Sequence, residues 1–139
     1  ELANRGFTVT ATDLSPTAIK KAAKLFSHPK LTFIQDNILK SKLTDKFDLI
    51  LDRGCFHVLP PDKRDRYIAT ISRLLSSGGI FLLKCFSHKE FREDGPHRFS
   101  PEELRALFGS SFQQIAIKES VYQGTLEVLP LTLFCAMRR

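Results

Sequence analysis

The chain has 139 residues, 42% of them hydrophobic and 26% charged, and 21 Lys and Arg against 15 Asp and Glu leave a formal charge of +6. That composition excludes a disordered, collagen-like or disulfide-rich chain and suits one globular domain over residues 1–139. A chain of about 150 residues buries roughly 68–70% of its unfolded surface, so a real core is expected.

No apolar run approaches the roughly 20 residues of a membrane span, and Glu1 to Gly6 shows no signal peptide, so no membrane and a cytoplasmic location are expected. Cys55, Cys85 and Cys135 lie at long spacings without a CxxC pair, which points to reduced thiols and no metal site. The basic residues are spread through most segments rather than gathered into a stripe. This argues against nucleic acid as a partner.

Glu1 to Arg5 has the character of a helix tail, with Gly6 as its C-cap. The β-branched run Phe7 to Thr12 predicts a strand ending at Asp13. Ser15 and Pro16 then supply an N-cap and a first-turn proline for a helix whose Ile19, Ala22, Ala23 and Phe26 face a sheet. Leu31 to Gln35 is a second strand, ending at Asp36-Asn37, and Phe47 to Leu51 a third, ending at Asp52. Pro61 opens a longer helix with Tyr67, Ile68, Ile71, Leu74 and Leu75 inward, and Gly78-Gly79 are expected to stop it.

Ile80 to Phe86 suits a strand buried on both faces, interrupted by Lys84. Ser100 and Glu103 form a capping box for a short helix through Leu104, Leu107 and Phe108. Strands near Gln113 to Tyr122 and Leu131 to Met137 have no helix between them and should pair antiparallel. The order predicts an α/β fold: a Rossmann-like, doubly wound, mostly parallel sheet with an antiparallel terminal strand. Such sheets bind ligands outside the carboxyl ends of their strands.

Asp13, Asp36 and Asp52 each follow a strand directly. A carboxylate after the second strand of a dinucleotide-type fold accepts from ribose hydroxyls. Asp13 could instead cap the next helix, although Ser15 is better placed to do so. For Asp36 the competing role is an Asx turn with Asn37, and for Asp52 a satisfied buried acid near Arg53.

At Asp13-Leu14-Ser15-Pro16, Gln35-Asp36-Asn37-Ile38, Phe47 to Gly54 and Leu75-Ser76-Ser77-Gly78-Gly79, the chain resembles the class I S-adenosylmethionine-dependent methyltransferases. The order and intervals of these tracts carry the likeness, which covers nearly the whole chain. Asp52-Arg53-Gly54-Cys55-Phe56-His57, with Phe86-Ser87 and Gly95 to Ser100, looks like the small-molecule branch of thiopurine, thiol and tellurite-resistance methyltransferases. The resemblance implies S-adenosyl-L-methionine as methyl donor and a small-molecule acceptor. By the same resemblance Asp13 would hold the ribose, Leu14 would pack on the adenine, and Asp36 would accept from its amino group beside Asn37 and Ile38. Asp52, Arg53 and Gly54 would line the methionine end. Displacement at a sulfonium has a good leaving group, so alignment and exclusion of water supply most of the catalysis.

The family's glycine-rich loop precedes the acid by roughly 20 positions and is absent. An N-terminally truncated domain is therefore expected, lacking its first strand. Loss of that central strand would expose two rows of backbone groups, favouring self-association through the gap and weak or no cofactor binding by these residues alone.

On the acceptor side, His57 is a candidate catalytic group to orient or deprotonate a nucleophile, with an idle loop histidine as the alternative. Phe56 lies beside it. Cys55 is expected to be a small buried residue. His88 to Phe99 is a natural lid, and Arg92 or Arg98 could recognise an anionic acceptor. A dinucleotide-binding oxidoreductase would explain Asp13 but neither Asp36 and Asp52 together nor the final strand pair. A nucleic-acid methyltransferase would call for an Asn/Asp-Pro-Pro-aromatic tract, which Asp52-Arg53-Gly54 does not provide. A non-catalytic fragment is the remaining alternative.

Overall fold

A computed structural model describes residues 1–139, apart from the side chain of Gln114. Its contacts group residues 1–43 and 44–139 into two compact units. In the first, a 3₁₀ turn Ala3–Arg5 ends at Gly6, and β1 (Val9–Asp13) pairs in parallel with β2 (Leu31–Gln35), Asp13 lying opposite Gln35. Between them runs α1 (Pro16–Leu25), with Pro16 in its first turn.

The inward face expected for α1 is only partly realised. Ile19 and Ala22 are half-buried, but Ala23 and Phe26 are exposed and no residue of the helix is buried. A two-stranded sheet is too narrow to cover a whole helix face, and Phe26 already has extended backbone as the C-cap.

The second unit holds β3 (Phe47–Arg53), α2 (Pro61–Leu74), β4 (Leu75–Ser87), β5 (Arg98–Phe99), α3 (Pro101–Phe108), β6 (Gln113–Val121) and β7 (Leu131–Arg138). Its sheet runs β3-β4-β7-β6, with β5 also against β4. β4 is parallel to β3 and β5 and antiparallel to β7, and β6 and β7 are antiparallel as expected. Within this sheet β3 and β6 end the strand order.

Gly78-Gly79 do not stop α2. The helix ends at Leu74 because Leu75 is already extended and pairs with Phe47, so both glycines lie inside β4, where the β3 register shifts. Gly78 takes φ +73° there, a conformation that side chains with a Cβ resist.

β4 also differs from a strand buried on both faces. Phe81, Leu83, Cys85 and Ser87 are buried, whereas Ile80, Leu82, Lys84 and Phe86 are half-buried. The buried face meets the helices: Phe81 lies 6.4 Å from Tyr67 of α2 and 5.9 Å from Phe108 of α3, between ring centroids. Tyr67, Ile68, Ile71 and Leu74 line the same core, with Leu104 and Phe108 from α3. Full burial of each such side chain stabilises by roughly 1.5–3 kcal/mol. Among the described residues no helix is long and apolar enough to cross a membrane.

Candidate functional site

At the end of β1 one Asp13 oxygen accepts the Ser15 amide at 2.7 Å. Ser15 in turn caps α1, its Oγ accepting the Ala18 amide at 3.2 Å. The turn thus orients Asp13 without spending it: the carboxylate stays exposed, and its second oxygen has no side-chain or amide donor among the described residues.

The Asp36 amide donates to the Asp13 carbonyl at 3.0 Å, which joins the two strand ends. Asp36 accepts the Lys42 amide at 3.1 Å. Asn37 caps the 3₁₀ turn Ile38–Lys40 through the Leu39 amide at 3.0 Å. Leu14 is 64% exposed beside Asp13, and Ile38 is half-buried. An acceptor for hydroxyls, an apolar surface and a second carboxylate one strand over form a set that fits a nucleoside.

In the second unit Asp52, next to last in β3, is a buried acid, 7% exposed. It accepts the amides of Cys55 at 2.7 Å and Phe56 at 2.9 Å, and the Tyr67 hydroxyl donates to it. Burial first, and then the Asp52 charge, push the Tyr67 phenol well above its ordinary range. Asp52 therefore satisfies the start of the 3₁₀ turn Phe56–Val58. Its partners are two amides and a phenol, with no contribution from Arg53.

Phe56 is wholly buried, with ring centroids 5.1 to 5.2 Å from Tyr67, Phe99 and Phe108. It is a core residue rather than a wall for an acceptor. Cys55, expected to be buried, is exposed. Phe56 occupies the inward position beside it.

His57 is 5% exposed and stacks on Phe86 at 4.9 Å. Its Nδ1 accepts the Phe86 amide at 3.3 Å, so the neutral ring carries its proton on Nε2 and offers a donor there. Burial lowers its pKa below the ordinary 6.5, with Asp52 opposing. A buried ring whose lone pair is engaged is poorly suited to take a proton. Gly54, at φ +108°, permits this packing, since a Cβ there would lie 3.3 Å from Nε2.

Tyr122 and Lys84 complete this edge, and neither is a site candidate from the sequence. The Tyr122 hydroxyl donates to the Lys84 carbonyl at 2.7 Å, and its ring lies edge-on to Phe86 at 5.4 Å. Arg53 stands 4.9 Å from the ring centroid and the Lys84 ammonium 5.3 Å. Burial raises the phenol to about 12, and burial together with Arg53 lowers Lys84. Tyr122 follows a strand with no motif around it, and its partners come from β3 and β4, so only tertiary structure reveals it.

The segment after β4 is partly pinned. The His88 amide donates to the Phe99 carbonyl at 2.8 Å, and the exposed His88 ring lies near the same oxygen. Arg92 pairs with Glu90 at 2.7 Å. Arg98 is half-buried on β5. Among the described residues no cluster of three metal-ligating side chains occurs.

Comparison with known proteins gives these strand ends a context. A family model described as a methyltransferase domain matches residues 1–79. The 2-heptyl-1-hydroxyquinolin-4(1H)-one methyltransferase of Mycobacteroides abscessus is 32% identical over 112 residues, covering 76% of this chain and 49% of that protein. A thiopurine S-methyltransferase of Aliivibrio fischeri is 31% identical over 107 residues, covering 76% and 47%. The chain thus spans about half the length of these relatives.

The fold matches the Burkholderia thailandensis 1,6-didemethyltoxoflavin-N1-methyltransferase, solved with 1,6-didemethyltoxoflavin and S-adenosylhomocysteine. Its TM-score is 0.76 at 24% identity, over 99% of this chain and 63% of that one. With the family model matching residues 1–79, across both acidic strand ends of the first unit and all of β3, the chain belongs to the class I S-adenosylmethionine-dependent methyltransferases.

Proposed function

We propose that the protein transfers a methyl group from S-adenosyl-L-methionine to a small-molecule nucleophile. The observation that carries this reading is the first unit's pair of strand ends: Asp13, held by the Ser15 amide with one oxygen available, beside exposed Leu14 and hydrogen-bonded to the Asp36 backbone. Asp13 would accept the ribose hydroxyls, Leu14 would cover one adenine face, and Asp36, Asn37 and Ile38 would border its amino edge. The bound cofactor supplies a methyl on a sulfonium, whose departure as a neutral thioether needs no acid.

Asp52 contributes by fixing the turn that carries Arg53, Gly54 and His57. His57 directs Nε2–H as a donor, and Phe86 and Tyr122 keep water from its ring. His88 and Arg98 would border the acceptor from the segment after β4, whereas the Arg92 guanidinium is engaged by Glu90. A small-molecule acceptor is supported by two relatives named for a hydroxyquinolone and for thiopurines. It is supported also by the absence of the Pro-Pro-aromatic tract after Asp52.

The test is S-adenosylhomocysteine binding by the native-length protein, measured by titration calorimetry, with Asp13→Ala as the variant. Losing charge-assisted bonds of about 1.5–3 kcal/mol should weaken binding at least tenfold. Unchanged affinity in Asp13→Ala, or binding of a nicotinamide dinucleotide in place of S-adenosylhomocysteine, would overturn the reading.

A further inference from the structure

Two arginines follow β4, and the fold gives them opposite fates. Arg92 is spent within the protein: its guanidinium pairs with Glu90 and reaches the Val128 carbonyl. Glu90 is 6% exposed and also accepts the amides of Arg92 and Leu131, which closes a strut between this segment and the start of β7. Burial raises the Glu90 carboxyl, but those amides and the guanidinium outweigh it and hold it below the ordinary range. A cation so neutralised has little left to offer a ligand.

Arg98 has no such partner. It sits half-buried on β5, opposite Phe86. Its guanidinium makes one long contact, 3.3 Å to the Asp94 carbonyl, and no carboxylate lies within ion-pair distance among the described residues. It lines two cavities that share Gly95 and Pro96. The larger, an open depression of about 450 Å³, is lined by Val58, Gly95, Pro96, His97 and Arg98, with no acid among them. The smaller, of about 70 Å³, adds Phe86, Glu90, Arg92 and Asp94.

Charge separates the two spaces. In the smaller cavity Glu90 and Asp94 offset Arg92 and Arg98, whereas in the larger one Arg98 is unopposed. A half-buried guanidinium without a counter-charge is left to pair with a ligand, and its planar fork matches a carboxylate or similar oxyanion through two parallel bonds. Val58 and Pro96 offer the rest of a ligand apolar surface. The cavity wall is tied to the turn after Asp52, since the His97 amide donates to the His57 carbonyl at 2.9 Å.

We propose that the larger cavity seats the methyl acceptor and that Arg98 makes it selective for acceptors bearing a carboxylate or other oxyanion on an apolar body. This rests on the methyltransferase reading above and adds the substrate class. Arg98 is then a specificity-determining residue and Arg92 a structural one.

The test compares 4-hydroxybenzoate with 4-hydroxybenzamide, which share a shape and differ in charge. Their binding to the native-length protein is measured by calorimetry, with and without S-adenosylhomocysteine, in wild type, Arg98→Gln and Arg98→Lys. The wild type should bind the acid at least tenfold more tightly than the amide. Arg98→Gln should erase that preference by weakening the acid more than the amide, and Arg98→Lys should retain part of it. Equal affinity for the two probes in wild type, no binding of either, or a preference that survives in Arg98→Gln would overturn the proposal. Because the wild-type comparison decides on its own, a misfolded variant does not rescue it. Loss of S-adenosylhomocysteine binding alone would refute the methyltransferase reading, while intact binding without acid preference would refute only this inference.

Discussion

His57 shows how a residue's surroundings alter the chemistry its type suggests. Free histidine titrates near 6.5 and invites assignment as a base, but here burial favours the neutral ring and the Phe86 amide holds Nδ1. With its pKa lowered in the folded state, the unfolded chain binds more protons than the native one between the folded value and 6.5. Stability should therefore rise with pH through that window and be lost as pH falls below about 6.5. Denaturation midpoints between pH 5 and 7 should show this slope in wild type and a flatter one in His57→Asn, whose amide oxygen can still accept from Phe86. Asp13 was legible in the sequence because strand, acid and capping serine are contiguous. The commitment of Asp52 to Tyr67 was not, since the partner lies on α2.

At the scale of elements, local signals located helix starts better than helix ends. Ser100 and Glu103 complete the capping box at 3.1 Å and 2.7 Å, so α3 begins where four consecutive residues say it must. Ser100→Ala should cost about 1 kcal/mol, read as a shift in the urea midpoint. The end of α2 is different. Gly78-Gly79 looked like a stop, yet Leu75 pairs with Phe47 and the strand starts before them. A long-range ladder overrode a local signal, because pairing Leu75 with its neighbour satisfies backbone groups that another helical turn would take from the sheet. β5 escaped notice for the same reason: two residues carry no periodicity, and only Phe86 and Ser87 opposite them define a strand.

Across the molecule, the apolar core is unevenly shared. Among the described residues of 1–43 only Ala3 is buried, whereas residues 44–139 bury a cluster of Phe, Leu and Ile around β4. A two-stranded sheet is marginal on its own. Native-state hydrogen exchange should therefore find the β1 and β2 amides opening at much lower free energy than those of β4 and β7, by at least tenfold in protection. Equal protection in both units would refute this.

The sequence by itself determined the α/β class, the order of the helices and of the strands other than β5, the capped helix starts and the acids at three strand ends, because these depend on neighbours within a few positions. Tertiary structure alone decided which of those groups remain available. Asp13 keeps a carboxylate oxygen exposed, Asp52 and Phe56 are absorbed into the core, and Arg98 stays unpaired where Arg92 is neutralised by Glu90. Availability depends on partners brought from distant segments, and those partners meet only once the sheet has formed.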